Sequence, residues 1–199
     1  MTDTAIKTEP SMNGPFILRV NRVSASYITR THGIFGKKTI KPVLDSINLE
    51  IREGEIFGLL GPSGCGKTTL GRCILGLINY EGGIFIDGQG QEHGPRRSGS
   101  GPARRGMALK VQAVFQDPAA SLNPVKRIGW IMEEPLVIHR IGSRQRRAKQ
   151  VDEMLERVGL DPSYKTRRVN ELSSGQKQRV CIGRALMLKP ELIIADEAV

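Results

Sequence analysis

The sequence predicts an α/β fold with a mainly parallel sheet, and two observations carry that prediction. Short strand-like runs alternate with helical patterns along most of the chain. One of them, Ile56 to Leu60, is a compact apolar run that leads through a glycine-rich loop into a helical segment. A strand buried on both faces of a parallel sheet reads this way.

The elements follow in order. Residues 1–14 read as a frayed lead. Phe16 to Tyr27 alternates apolar and polar positions, a strand signal. A basic loop follows from Arg30 to Lys41, and Val43 to Ile51 resumes the strand pattern with Val43, Ile47, Leu49 and Ile51. Glu53-Gly54 is a turn. After Ile56–Leu60 come a loop over Gly61 to Gly66, a helix over Lys67 to Ile78 and a strand over Gly83 to Asp87. Residues 88–106 are rich in Gly, Pro, Ser and Arg and predict a flexible surface loop. Val111 to Phe115 is a strand, and Gln116 to Pro124 is turn-rich. Ser143 can cap a helix running to Val158, with Val151, Met154, Leu155 and Val158 on one face and Gly159 as its stop. Leu192 to Ala195 is the final strand, and no internal repeat is visible.

Composition bounds the function. A chain of 199 residues supports one or two compact domains, with one favoured. Hydrophobic residues at 39% and charged residues at 25% fit an ordinary globular protein. No apolar run reaches the length of about 18 residues that a membrane-spanning helix needs. The N-terminus lacks the basic-then-apolar pattern of a secretory signal. Cys65, Cys73 and Cys181 match no zinc spacing, and their odd count fits a reducing compartment. The net charge of +10 suits nucleic acid, an anionic membrane surface or a phosphate ligand. Aromatics are only 5%, so interleaved base-stacking residues are missing.

Gly61-Pro62-Ser63-Gly64-Cys65-Gly66-Lys67-Thr68 fits the phosphate-loop pattern G-x-x-x-x-G-K-[ST] without a mismatch, and Thr69 follows. Glycines let backbone N–H groups converge on phosphate oxygens, and the next helix points its positive end at the same anion. Lys67 can neutralise the β- and γ-phosphates, and Thr68 can hold Mg²⁺. Far downstream, the apolar run Leu192–Ala195 ends in Asp196-Glu197. An Asp there can hold Mg²⁺, and a neighbouring Glu can orient or deprotonate an attacking water.

Leu172-Ser173-Ser174-Gly175-Gln176, followed by a helix containing Arg184-Ala-Leu186, resembles the signature of ATP-binding-cassette (ABC) ATPases. Ser174 replaces the first of the two glycines usual there. Gln116 matches the family's Q-loop, and Tyr27 occupies the place of its adenine-stacking aromatic. The stretches from Phe115 to Pro124 and Glu133 to Leu136, the Arg179–Leu186 helix and Asp196–Val199 resemble dipeptide, oligopeptide and nickel importer ATPases.

The resemblance implies a P-loop NTPase (RecA-like) core with N-terminal antiparallel strands and an α-helical subdomain. One domain of 1–199 is expected, with residues 15–116 and 171–199 as catalytic core and 117–170 as helical subdomain. It implies ATP and Mg²⁺ as cofactors, with Tyr27, Gly61 to Thr69, Ser173, Gly175 and Gln176 on nucleotide. Thr68, Gln116 and Asp196 would face the metal, and Glu197, Lys67 and Gln116 would serve catalysis. Expected partners are a second ABC ATPase subunit placed head-to-tail, integral membrane permease subunits and, indirectly, an extracytoplasmic solute-binding protein. The expected place is the cytoplasmic face of the cell membrane. Nucleic acid is not an expected partner, although a DNA-repair-type ABC ATPase and a non-hydrolysing nucleotide-binding remnant share these motifs.

The family continues past its catalytic Glu with a D-loop and a switch histidine. This sequence ends two residues after Glu197, and His32, His93 and His139 all precede that point. A C-terminally truncated cassette that as written hydrolyses ATP poorly or not at all is therefore the expectation. Strand Ile56–Leu60 is then expected to lose ladder partners, at about 1–3 kcal/mol for each buried group left unpaired.

Overall fold

A computed structural model describes residues 5–7, 15–30, 38–93, 102–115 and 117–196. The chain divides into two compact units, Met1–Met107 and Ala108–Val199.

The first unit is built on a four-stranded antiparallel sheet in the order β3-β2-β5-β6. Its strands are β2 (Phe16–Arg30), β3 (Lys38–Arg52), β5 (Glu81–Ile86) and β6 (Gln89–His93). The buried positions of β2 change parity along the strand. Leu18 and Val20 point to the core, then Val23 and Ala25 do. Strand side chains alternate with period two, so one extra residue must intervene. Arg22, at φ 46°, is that residue, and the pairing register shifts there. Its N–H donates to Asn48 Oδ1 at 2.9 Å, and the positive-φ Ser46 on β3 donates its N–H to Ser24 Oγ at 2.9 Å. Opposite the bulge, a Cβ on Gly82 would lie 2.2 Å from the Arg22 carbonyl oxygen, so only glycine fits.

Several expectations change in this unit. The lead expected over residues 1–14 holds a short strand, and the loop expected from Arg30 to Lys41 is shorter, since β2 runs to Arg30 and β3 starts at Lys38. The run Ile56–Leu60 narrows to β4 (Phe57–Leu59), which pairs antiparallel with β1 (Ala5–Lys7) and is not a buried parallel strand. Ile56 is 78% exposed and Leu60 51%, because β1 is its only ladder partner among the described residues and leaves its faces open. The helix expected over Lys67–Ile78 is α1 (Lys67–Ile74). It stops early because Gly76 takes φ 66° and the amides of Gly76 and Leu77 turn back onto the Cys73 and Arg72 carbonyls. The loop expected over 88–106 instead contributes β6, paired to β5, and the start of α2 (Pro102–Lys110); residues 94–101 lie outside the described ones.

The second unit is mostly helical around one parallel strand pair, β7 (Val111–Val114) with β8 (Leu192–Ala195). Its helices are α3 (Pro118–Ser121), α4 (Ile128–Ile138), α5 (Arg144–Arg157) and α6 (Ser174–Leu186), with 3-10 turns at Pro162–Thr166 and Val169–Glu171. Ile128, Met132, Leu136, Leu155 and Val180 are fully buried in its core. Ser143 caps α5 as the sequence predicts, accepting from Arg146 N–H, and Gly159 follows its end at φ 72°. β8 is less buried than its apolar sequence suggests: Ile193 is 42% exposed, since β7 is its sole strand neighbour among the described residues. Parallel pairing is thus confined to β7–β8 among the described residues, and the remaining ladders are antiparallel.

Candidate nucleotide site

Leu60 to Gly66 form one continuous loop between β4 and α1, and Lys67 and Thr68 open α1. Pro62, Ser63, Gly64 and Cys65 are exposed, as are Gly61 and Thr68. Gly66 is buried and sits at φ 106° as the N-cap of α1. A Cβ at Gly66 would meet Leu44 Cδ2 at 2.8 Å and the Val43 carbonyl oxygen at 3.2 Å. Strand β3 therefore forms the wall behind the loop, and glycine is what lets the backbone approach it.

The Lys67 ammonium folds back over the loop. It donates to Gly61 O at 2.8 Å and Pro62 O at 3.0 Å, and lies 3.9 Å from Cys65 Sγ. These neutral acceptors hold the charge at the loop's mouth, where a phosphate oxygen would be a stronger, charge-assisted acceptor. No side chain caps the N-terminus of α1, and its first turn has no acid. The positive end of the helix dipole therefore meets no side-chain anion of its own first turn. Thr69 differs from its neighbours: it is 8% exposed, buried in the inward face of α1 with Leu70 and Cys73.

Tyr27 lies on β2 opposite Lys41, three residues before the Leu44 that packs on Gly66. The residue is 37% exposed. The strand pair that backs the phosphate loop therefore also carries the aromatic expected to stack on adenine.

The signature segment lies in the second unit. Ser173 is the N-cap of α6 and forms a reciprocal capping box with Gln176. Ser173 Oγ accepts from Gln176 N–H at 3.3 Å, and Ser173 N–H donates to Gln176 Oε1 at 3.0 Å. Two orphan amides of the helix end are satisfied this way. Gly175 is exposed, and a Cβ there would meet nothing within 4 Å. Sequence reasoning missed the braces around this segment. Gln176 Nε2 donates to Tyr164 Oη at 3.1 Å, and Arg179 donates to the Gly159 carbonyl at 3.0 Å. Local periodicity carries no signal for either contact, since each joins separate elements.

Asp196 follows β8, half-buried, and its N–H donates to the Val114 carbonyl at 3.0 Å, extending the β7–β8 ladder by one bond. Gln116 and Glu197 lie outside the described residues. Thr68 carries a hydroxyl oxygen and Asp196 a carboxylate, each by itself a hard oxygen donor. Cys65 is an exposed thiol, whereas Cys73 and Cys181 are buried and burial pushes each thiol up to about 11.

Comparison with known proteins identifies the family. A peptide import ATP-binding protein of Brucella abortus (strain 2308) is 44% identical over 165 residues, 82% of this chain and 48% of that protein. The oligopeptide transport ATP-binding protein AppF of Bacillus subtilis (strain 168) is 40% identical over 190 residues, 94% of this chain and 56% of that protein. The chain thus spans about half the length of these curated relatives. Among solved structures, the dimeric post-hydrolysis state of the ATP-binding cassette MJ0796 bound to ADP and Pi superposes with a TM-score of 0.75 at 30% identity. That match covers 92% of this chain and 74% of the other. Residues 44–199 match the ABC transporter family, and the chain belongs to it.

Proposed function

We propose that this chain is the ATP-binding subunit of an ABC importer and couples ATP hydrolysis to solute uptake. The observation that carries the reading is the phosphate loop: a glycine-shaped turn backed by β3, with the Lys67 ammonium at its mouth and a helix N-terminus lacking a side-chain cap. Lys67 exchanges its carbonyl acceptors for β- and γ-phosphate oxygens, and the loop amides cradle the same phosphates. Gly61 to Thr69 hold the phosphates and Tyr27 stacks on adenine. Thr68, Gln116 and Asp196 would hold Mg²⁺, which supplies charge neutralisation on the phosphates. Glu197 and Gln116 orient the attacking water. Ser173, Gly175 and Gln176 serve the nucleotide of a second ATPase subunit in a head-to-tail dimer.

Residues 1–199 act as one ABC ATPase domain, with 15–116 and 171–199 as the catalytic core and 117–170 as the helical subdomain. The peptide-transport names of the relatives favour a peptide solute, delivered by an extracytoplasmic binding protein to membrane permease subunits. The ATPase sits on the cytoplasmic face of the membrane; no helix among the described residues is long and apolar enough to cross it.

The test is ATP turnover by the chain reconstituted with its cognate permease subunits. Turnover stimulated by the solute-loaded binding protein is expected. Turnover indifferent to the permease subunits, or none at all, would overturn the reading.

A further inference from the structure

The Gln176 carboxamide is held at both ends. Its Oε1 accepts from Ser173 N–H at 3.0 Å, which completes the cap of α6. Its Nε2 donates to Tyr164 Oη at 3.1 Å, a bond the cap itself does not need. A cap glutamine with one anchored end can turn about its terminal torsion, which is broad and roughly two-fold. The second bond removes that freedom.

Tyr164 is itself fixed. It lies in the 3-10 turn Pro162–Thr166, capped by Asp161, whose carboxylate accepts from Ser163 N–H at 2.8 Å. Tyr164 N–H donates to the Asp161 carbonyl at 2.9 Å, and Arg167 N–H donates to the Tyr164 carbonyl at 3.0 Å. The ring packs on the core of the second unit, and the Arg167 guanidinium lies over it, 3.9 Å from the centroid. Ser173 lies at the other end of the chain of contacts. Its Oγ accepts from Gln176 N–H, so the hydroxyl keeps its own proton to donate, and the residue is exposed.

We infer that Tyr164 is a positioning residue for the signature segment: through Gln176 it sets the Ser173 cap so that the Ser173 hydroxyl faces a nucleotide phosphate presented by a second ATPase subunit. The inference deepens the proposed function and rests on it.

Tyr164→Phe tests it, because the ring and its packing stay while Oη is lost. Two readouts apply to the full chain. The first is the NMR signal of the Gln176 side-chain amide, which should be resolved and slowly exchanging in the wild type. In the variant it should move toward solvent-exposed values and exchange about fivefold faster, the size of one neutral hydrogen bond. The second is turnover with the permease subunits, where kcat should fall about fivefold with KM unchanged, again one hydrogen bond's worth. An unchanged Gln176 signal, or wild-type kcat in the variant, overturns the inference. If the wild type binds ATP without turnover, the proposed function fails instead, and the Gln176 signal alone decides the role of Tyr164.

Discussion

In the first unit, Gly61 to Thr68 take their shape from the backbone, with glycine at the wall and a lysine resting on loop carbonyls. In the second, Ser173 to Gln176 take theirs from side chains, a reciprocal cap braced by Tyr164. Both lie at a helix N-terminus, and they are shaped by opposite means. A loop whose shape needs a missing Cβ tolerates no added atom there. A segment held by several modest bonds loses stability in small steps.

The largest expected effect is therefore at Gly66. Gly66→Ala places an L-residue at φ 106° and drives its Cβ toward Leu44 and the Val43 carbonyl. Strained backbone costs about 1–3 kcal/mol, and overpacking costs about 1–3 kcal/mol more. Urea denaturation should show that loss, together with loss of ATP binding. A variant as stable as wild type would show that the loop is not shaped against β3.

Ser173→Ala sharpens the other side of the comparison. It removes one cap acceptor and should cost about 1 kcal/mol in the same measurement, without changing ATP affinity at the phosphate loop. A loss as large as that of Gly66→Ala would erase the contrast.

A pH-dependent effect concerns the buried groups. Burial holds the Cys73 and Cys181 thiols at about 11 against an ordinary value of 9.0, and it pushes the Tyr80 hydroxyl up to about 12, helped by Cys73. The folded state keeps these protons longer than the unfolded chain does. Their contribution is thus fully present below pH 9.0 and is lost as pH rises toward about 11. The urea midpoint should be lower at pH 10 than at pH 8. Over the same range Cys65, the exposed thiol, should alkylate first, and ATP should slow it. A midpoint that rises with pH would contradict the burial of Cys73.

These contrasts explain what the sequence discloses. The phosphate loop is legible because its chemistry is written in one short run of three spaced glycines, one lysine and one threonine. The α5 cap at Ser143 and its stop at Gly159 are legible for the same local reason. The β2–β3 bulge is not, since it depends on Asn48 and Ser24 across the strand pair. Helix α4 is masked by Pro135, which reads as a breaker yet lies buried inside the helix. The exposure of Ile56 and Leu60 is also hidden, because an apolar run states a preference for burial and does not supply the neighbours. The Tyr164–Gln176 bond joins residues in different elements, so no local pattern announces it.

The most direct test of the central claim is ATP affinity of the wild type and of Lys67→Ala by calorimetry in the presence of Mg²⁺. Lys67 is expected to give up its contacts to Gly61 and Pro62 for phosphate oxygens. Charge-assisted hydrogen bonds contribute about 1.5–3 kcal/mol each, so affinity should fall about a hundredfold with the fold intact. Equal affinity in the two proteins would contradict the assignment of Gly61 to Thr68 as the phosphate site.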